Sequence, residues 1–312
     1  MTTITVNKFD GVSSSNLGFS LNKNFSPELD LRTVDFWDFT DSASVVTESV
    51  TEDAIPRIKT VKGKLGKVLT GRSNLGRPCA VDATGKKGAV WRSDSVNTGG
   101  YRSLLFPTGL LPNTKEVMIG FIFGEMAGVP VASLAGNFIG FSADGTTATA
   151  NNISFANFSN GTLPVILANS FASSGPLSGE IPLDGGLHCC LIHFDKSGNA
   201  NIRIDGVMKG SKPAKTLGAL MPMGGTGSIG GGSTGSEFGL GSAVTLRMTH
   251  LAIAELGKID AKSSQNYIER DRNAAEYWEA SLMYAAGIQA KLPADHTFKN
   301  KKPVTTWVGE RT

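Results

Sequence analysis

A chain of 312 residues with 40% hydrophobic and 18% charged content is long enough to bury a sizeable core and too apolar to stay disordered. Its 30 Lys and Arg against 27 Asp and Glu leave a formal charge of +3, too small to mark a polyanion binder by charge alone. Glycine, at 38 residues, runs at about twice its usual share; scattered among Val, Ile, Thr and Phe, it predicts many tight turns between short strands.

Residues 1–33 read as an N-terminal arm, rich in Ser and Asn (Ser13, Ser14, Ser15, Asn16, Asn22, Asn24) with single apolar residues and no sustained period. The opening MTTITVNKFD has neither a basic n-region nor an apolar h-region, so no signal peptide is expected. From Val34 the pattern turns to strands, beginning with an aromatic one around Val34, Phe36, Trp37 and Phe39. A basic stretch follows from Arg57 to Arg92, with Asp82 its only opposing charge. Residues 117–136 are long enough to span a bilayer and carry only Glu125 as a charge. Their internal glycines and Pro130 favour two core strands joined by a turn near 125–128, and a soluble chain is expected. The first of these strands alternates Val117, Ile119, Phe121 and Phe123 with Met118, Gly120 and Ile122, the pattern of a strand buried on both faces. Residues 138–141 lead into Asp144-Gly145, a hairpin signal.

The segments 187–194 and 200–204 flank a hairpin loop at 195–199, and Asp205-Gly206 supplies a further tight turn. Cys189 and Cys190 are neighbours on the first of these strands and so point to opposite faces. With three cysteines in all, no disulfide framework is implied, which suits folding in a reducing compartment. Val244, Leu246 and Met248 share one face of a late strand that continues through His250 to Ile253. After Gly257 the period changes. Tyr267, Ala274, Trp278, Leu282 and Ala285 recur at helical spacing, with Glu269, Arg270, Asp271, Arg272, Glu276 and Glu279 on the other face. One amphipathic helix is predicted over 261–286, capped by Asp260 or Ser263 and ended by Gly287. The expected organisation is an arm at 1–33, a β-sandwich at 34–257, a helix at 258–287 that packs on the sandwich or docks it elsewhere, and a basic tail at 288–312.

Several segments, taken in order, resemble modules of the laminin G/concanavalin A-like superfamily. Trp37-Asp38-Phe39 is similar to their aromatic first strand, followed by Gly120-Phe121-Ile122-Phe123 and by Phe141-Ser142-Ala143-Asp144-Gly145. HCCLIHFDKSGNANIRIDG, at 188–206, matches a hydrophobic strand, a D-x-x-G turn and a strand ending in a D-G turn. Ser228-Ile229-Gly230-Gly231 resembles the "I-G-G" strand, and 238–255 the closing strand before a short helix. The resemblance covers roughly 34–280 as an order of features. It implies a concanavalin A/laminin G-like antiparallel β-sandwich, a jelly roll, with a C-terminal amphipathic helix and extended terminal arms. By analogy from fold, it also implies a non-enzymatic bacteriophage virion protein made in the host cytoplasm: a head decoration, tail fibre or baseplate appendage. Its partners would be other virion proteins, further copies of itself in a homo-oligomer, and a host-surface glycan. A soluble glycan-binding lectin module is the alternative, and a glycoside hydrolase or lyase of this fold a third. Such modules also carry a rim calcium in many cases, for which Asp205 or Asp144 would serve; turn aspartates otherwise stabilise their turns without an ion.

Other constellations resolve into plainer readings. Gly225, Gly227 and Gly230 spell a dinucleotide fingerprint, but the glycines and serine that follow admit no helix, so a glycine-rich strand and loop is expected. His188 and His193 lie five apart and lack a second pair of ligands for zinc. Asp35, Asp38 and Asp41 lack the alternating oxygens and turn glycine of a calcium loop. Glu116, Glu125, Glu180, Glu237 and Glu255 are isolated, without the paired strand carboxylates of a glycosidase, so no catalytic residue is assigned. The basic stretch reads first as a solvated face. Its functional reading is contact with a protein or glycan through Arg57, Lys59, Lys62, Lys64, Lys67 and Arg72. Nucleic acid fits it poorly, because no aromatics interleave for base stacking. The terminal segments carry single large apolar residues, and Phe9, Phe19, Phe25 and Trp307 are expected as assembly anchors.

Overall fold

The computed structural model describes residues 26–29, 32–49, 56–71, 78–82, 84–92, 103–111, 116–124, 134–142, 151–155, 162–167, 177–195, 197–214, 226–230, 239–240, 245–255 and 271–288. After a single 3-10 turn at Pro27–Leu29, strands dominate. In chain order they are β1 (Thr33–Asp38), β2 (Val45–Ser49), β3 (Pro56–Lys62), β4 (Val68–Gly71), β5 (Cys79–Val81) and β6 (Lys87–Arg92). There follow β7 (Leu104–Leu105), β8 (Val117–Gly124), β9 (Leu134–Ser142), β10 (Asn151–Phe155), β11 (Thr162–Leu167) and β12 (Leu177–Pro182). The last are β13 (His188–Phe194), β14 (Asn199–Ile204), β15 (Val207–Pro213), β16 (Thr226–Ile229), β17 (Gly239–Leu240) and β18 (Thr245–Glu255), before the helix α1 (Asp271–Ala285).

Every pairing between these strands is antiparallel, and they form two layers of an antiparallel β-sandwich. In the first, β18 is central: β8 runs along one side, while β6 and then β1 occupy the other. The layer continues from β8 through β13 and β14 to β15. The second layer runs β2, β3, β4, β7, β16, β9, β10, β11, β12. Alternation along each strand sends one set of side chains inward. Trp91 and Phe121 from the first layer meet Phe138 of the second at ring-centroid distances of 5.4 and 5.8 Å, and Phe106 stacks on Phe141 at 5.6 Å. Val117, Ile119, Ile192, Ile202, Ile204, Leu251 and Ile253 complete this core.

β8 is buried along its whole length, as its double apolar alternation predicts. Its odd-numbered residues enter the inter-sheet core, while Met118 and Ile122 face outward into a second apolar cluster under α1. Cys189 and Cys190 divide in the same way, one into each cluster. The hairpin at 195–199 forms between β13 and β14, and Asp205 and Gly206 make the next turn with φ of 51° and 82°. Asp205 is the one non-glycine residue at positive φ among the described residues. Thr226–Ile229 is a strand, as the glycine-rich reading expects.

The structure adjusts two expectations, at Glu279 and Arg57, and describes only part of the expected helix. The described helix is Asp271–Ala285, and the expected portion at 261–270, with Asp260, Ser263 and Tyr267, lies outside the described residues. Its end is the expected one: Gly287 takes φ 72°, its amide donates to Tyr284 and that of Ile288 to Met283, closing a left-handed cap. Glu279, placed by periodicity on the solvent face, is 1% exposed. It is buried because β14 presents Arg203 to the helix, so the acidic stripe meets an ion partner instead of water. Arg57, expected on a solvated or partner-contacting face, is fully buried at the junction of β3 with β5, where it pairs in register with Cys79.

Candidate binding face and its flanking hairpin

The two outer faces of the sandwich differ. Over the first layer, α1 packs Trp278, Leu282 and Met283 onto Phe36, Met118, Ile122, Leu191, Ala252 and Ala254. Gly120 is what lets it approach: a Cβ there would lie 2.6 Å from a Leu282 methyl carbon and 2.9 Å from the Trp278 ring. The Trp278 indole donates to the Thr33 hydroxyl at 3.0 Å, and that hydroxyl donates in turn to the Pro27 carbonyl at 2.5 Å. An ion pair completes the seat. Arg203 Nε donates to Glu279 at 2.6 Å, its Nη1 reaches Glu276 at 3.3 Å, and its Nη2 donates to the Gly206 carbonyl at 2.6 Å. The Gly206 amide donates to Glu279 at 2.8 Å. Burial raises the Glu279 pKa, against the pull of the Arg203 charge beside it.

Among the described residues, the second layer's outer face is open over β2, β3, β4 and β7. Registers place Val46, Thr60, Thr70 and Leu105 in one row across these strands. Their alternates Val61, Leu69 and Leu104 are fully buried in the core, which fixes the row on the outer side. In the neighbouring row Lys62 stands opposite Val68. Val46 is 52% exposed, Val68 39% and Leu105 36%. Beyond Leu105 the row continues to Ser228 and Gly140, both buried, which bounds the open area on that side.

Beside this face the β3–β4 connection forms a tip at 63–67 that is held from below. The Asp35 carboxylate accepts from the amides of Phe36, Leu65 and Lys67 at 2.7, 2.8 and 2.5 Å. The Lys67 carbonyl accepts from the Trp37 indole at 3.1 Å. Burial raises the Asp35 pKa in spite of these donors. Gly63 is required for the approach, because a Cβ there would overlap the Asp35 carboxylate. Gly66, at φ 97°, makes the turn. The mount presents Lys64, Leu65 and Lys67 to solvent.

Of the expected contact residues, Lys59, Lys62, Lys64 and Lys67 are brought together on or beside this face, and Arg57 is withdrawn into the core. Lys64 pairs with Asp41 at 2.7 Å, an interaction that raises the lysine pKa and holds the Asp41 carboxyl well below the usual carboxylate range. Lys59 lies 3.8 Å from Glu48. Arg72, Phe9, Phe19, Phe25 and Trp307 lie outside the described residues, as does Asp144. The apolar and hydroxyl members of the face, Val46, Thr60, Val68, Thr70 and Leu105, have no signal in the sequence beyond local alternation. Cross-strand register is what joins them.

Carboxylates elsewhere are engaged in turns and pairs. Asp38 accepts from Thr40 at 2.8 Å, and Asp41 also accepts from Ala43 and Ser44. Asp82 accepts from Thr84 and Lys86 and lies 3.7 Å from Arg247. Asp195 holds the amide of Asn199 and the side chain of Asn201. His188 is clasped on both ring nitrogens, Nδ1 by Asp205 at 2.7 Å and Nε2 by Asp184 at 2.8 Å. Each of these carboxylates also accepts a backbone amide, from Cys189 and Gly186 respectively. The hydrogen bond to Asp205, and after it that to Asp184, raises the His188 pKa against the effect of burial. Among the described residues, no group of three or more His, Cys, Asp or Glu is arranged to hold a metal ion. Nor, among them, is any helix long and apolar enough to cross a membrane.

No protein-family model and no curated protein sequence matches the chain. Solved structures resemble it distantly. Domain 4 of AbnA, a GH43 extracellular arabinanase from Geobacillus stearothermophilus, solved with arabinotriose, is 15% identical with a TM-score of 0.41, over 72% of this chain and 92% of that one. The receptor binding domain of botulinum neurotoxin D is 8% identical with a TM-score of 0.42, over 77% of this chain and 53% of that one. A heptameric SAP-like pentraxin from Limulus polyphemus is 16% identical with a TM-score of 0.37, over 53% of this chain and 74% of that one.

Proposed function

We propose that this chain is a non-catalytic binding module with a lectin-like β-sandwich, and that it meets its partner through the open face of the second layer. The observation that carries this reading is the placement of exposed apolar side chains. Of the six large hydrophobics exposed among the described residues, Val46, Leu65, Val68 and Leu105 lie on or beside this one face, among Lys59, Lys62, Lys64 and Lys67. Clustered exposed apolar groups ringed by polar ones are characteristic of contact surfaces. The opposite outer face is already occupied by α1. The carboxylates described above serve amides, hydroxyls and cations, which supports binding over hydrolysis. A setting on the surface of a bacteriophage particle, as a head decoration or a tail or baseplate appendage, is the finer form of the proposal. It rests on the order of features that resembles laminin G/concanavalin A-like modules.

The test compares the full chain with a Val46→Asp, Leu105→Asp double variant. Both should melt cooperatively, since neither position is buried. Only the parent should bind its partner in light scattering, glycan arrays or incorporation into purified particles. Turnover of any polysaccharide by the parent overturns the non-catalytic reading, and equal binding by the double variant removes the face from the mechanism.

A further inference from the structure

We infer that the open face takes an anionic saccharide, with Lys62 as the residue that reads its negative group. The inference rests on the binding face proposed above and specifies its ligand chemistry. Four lysines lie on or beside the face, and two are already neutralised in part: Lys64 by Asp41 at 2.7 Å and Lys59 by Glu48 at 3.8 Å. Lys67 stands at the rim on the hairpin tip. Lys62 differs from all three. It lies within the face, opposite Val68 in register and two residues along β3 from Thr60, and no carboxylate among the described residues pairs with it. An ammonium held among aliphatic and hydroxyl groups is a point charge waiting for a counter-charge.

The adjoining row suits a sugar. Val46, Thr60, Thr70 and Leu105 alternate an aliphatic end, two hydroxyls and a second aliphatic end. With neighbouring strands about 4.8 Å apart, the row spans about 14 Å, the length of a short oligosaccharide. Threonine hydroxyls both donate and accept, as sugar hydroxyls require. The valine and leucine side chains offer dry patches for the C–H faces of the rings. A protein partner fits less well, because interface cores are depleted in lysine and anchored by aromatics and arginine, neither of which is exposed on this face among the described residues. Nucleic acid lacks the aromatic platforms on which bases stack.

The experiment uses the full chain on an array of carboxylated, sulfated and phosphorylated oligosaccharides, each beside its neutral parent sugar. The parent protein, Lys62→Glu, Thr60→Val with Thr70→Val, and the remote Lys209→Glu are compared at two salt concentrations. The expected result is binding confined to the anionic members and weakened by salt. Lys62→Glu should lower it at least tenfold, the threonine pair should lower it at every salt concentration, and Lys209→Glu should leave it intact. Equal binding to the neutral sugars overturns the charge assignment while leaving the face reading standing. Unchanged binding by Lys62→Glu overturns the role of that residue. Equally tight binding of single-stranded DNA of matched charge shows a non-specific polyanion surface and sinks the saccharide assignment. If no glycan binds, the inference fails, and the Val46→Asp, Leu105→Asp comparison then decides separately whether the face contacts anything.

Discussion

The two outer faces of this sandwich are built from similar materials and end in opposite states. On the first layer, Met118, Gly120, Ile122, Leu191 and Ala252 are covered by α1 and have become a second core. On the second, Val46, Val68 and Leu105 remain partly exposed among lysines and threonines. The difference lies in side-chain size and in charge placement. The first face is cut back to Gly120, Ala252 and Ala254 where the helix rests, and carries one arginine aimed at two glutamates of α1. The second face carries lysines, whose flexible stems and strongly hydrated heads resist being sealed under another element. One face is therefore shaped for permanent burial, while the other stays open among the described residues, as the proposed contact requires.

That contrast can be broken most severely at the helix seat. Trp278→Ala removes a fully buried ring together with its bond to Thr33, and should cost about 3–5 kcal/mol in urea unfolding. Glu279→Ala removes the nearer carboxylate from an arginine whose side chain is 6% exposed and leaves it Glu276 at 3.3 Å, with a cost of up to about 3 kcal/mol. A loss under about 1 kcal/mol in both would mean that α1 is an appendage and that the first face is open too. Gly120→Ala should cost about 1–3 kcal/mol by pushing the helix outward, with enhanced amide exchange in α1 as its signature.

A smaller effect sharpens the comparison through pH. His188 has its pKa raised above the ordinary 6.5 by Asp205 and Asp184, so its clasp needs the protonated ring. The clasp is fully formed below about pH 6.5 and is lost as pH rises through the elevated native value. It links the β12–β13 connection to the Asp205–Gly206 turn, which also holds Glu279, so the helix side of the molecule should loosen as pH rises. With Asp184 largely exposed, the loss should be about 1.5 kcal/mol or less. His188→Gln should abolish this alkaline limb of the stability profile. An identical pH profile in the variant would show that the clasp contributes nothing. Smallest of all, Val46→Thr on the open face should shift stability by no more than about 0.5 kcal/mol, because about half of this side chain is already in water. A larger loss would mean that the second face is also covered.

Much of this architecture is legible locally. The double alternation of β8, the opposite fates of Cys189 and Cys190, the turns at 195–199 and 205–206, and the Gly287 cap each follow from the chemistry of a few adjacent residues. The helix is legible from its period, but the burial of Glu279 is not, since its partner Arg203 lies 76 positions away. β18 shows the same limit. Leu246 and Met248 share a parity, but a bulge between Met248 and His250 shifts the alternation, so that Leu251 and Ile253 enter the core in place of the even-numbered residues. No local pattern announces that shift.

The sequence by itself determined the strands, the turns, the β class and the lysine-rich composition of the segment that follows β2, because period, glycine placement and charge act over a few residues. Only the tertiary structure decided which of those basic residues reach the surface. Arg57 and Lys62 sit five positions apart on one strand, yet Arg57 is sealed where β3 meets β5 and Lys62 stands in the open opposite Val68. The row of Val46, Thr60, Thr70 and Leu105 is likewise assembled from β2, β3, β4 and β7, which meet through hydrogen-bond register. A side chain's face depends on which strands stack over and beside it, and that is a property of the folded sheet pair rather than of any one segment.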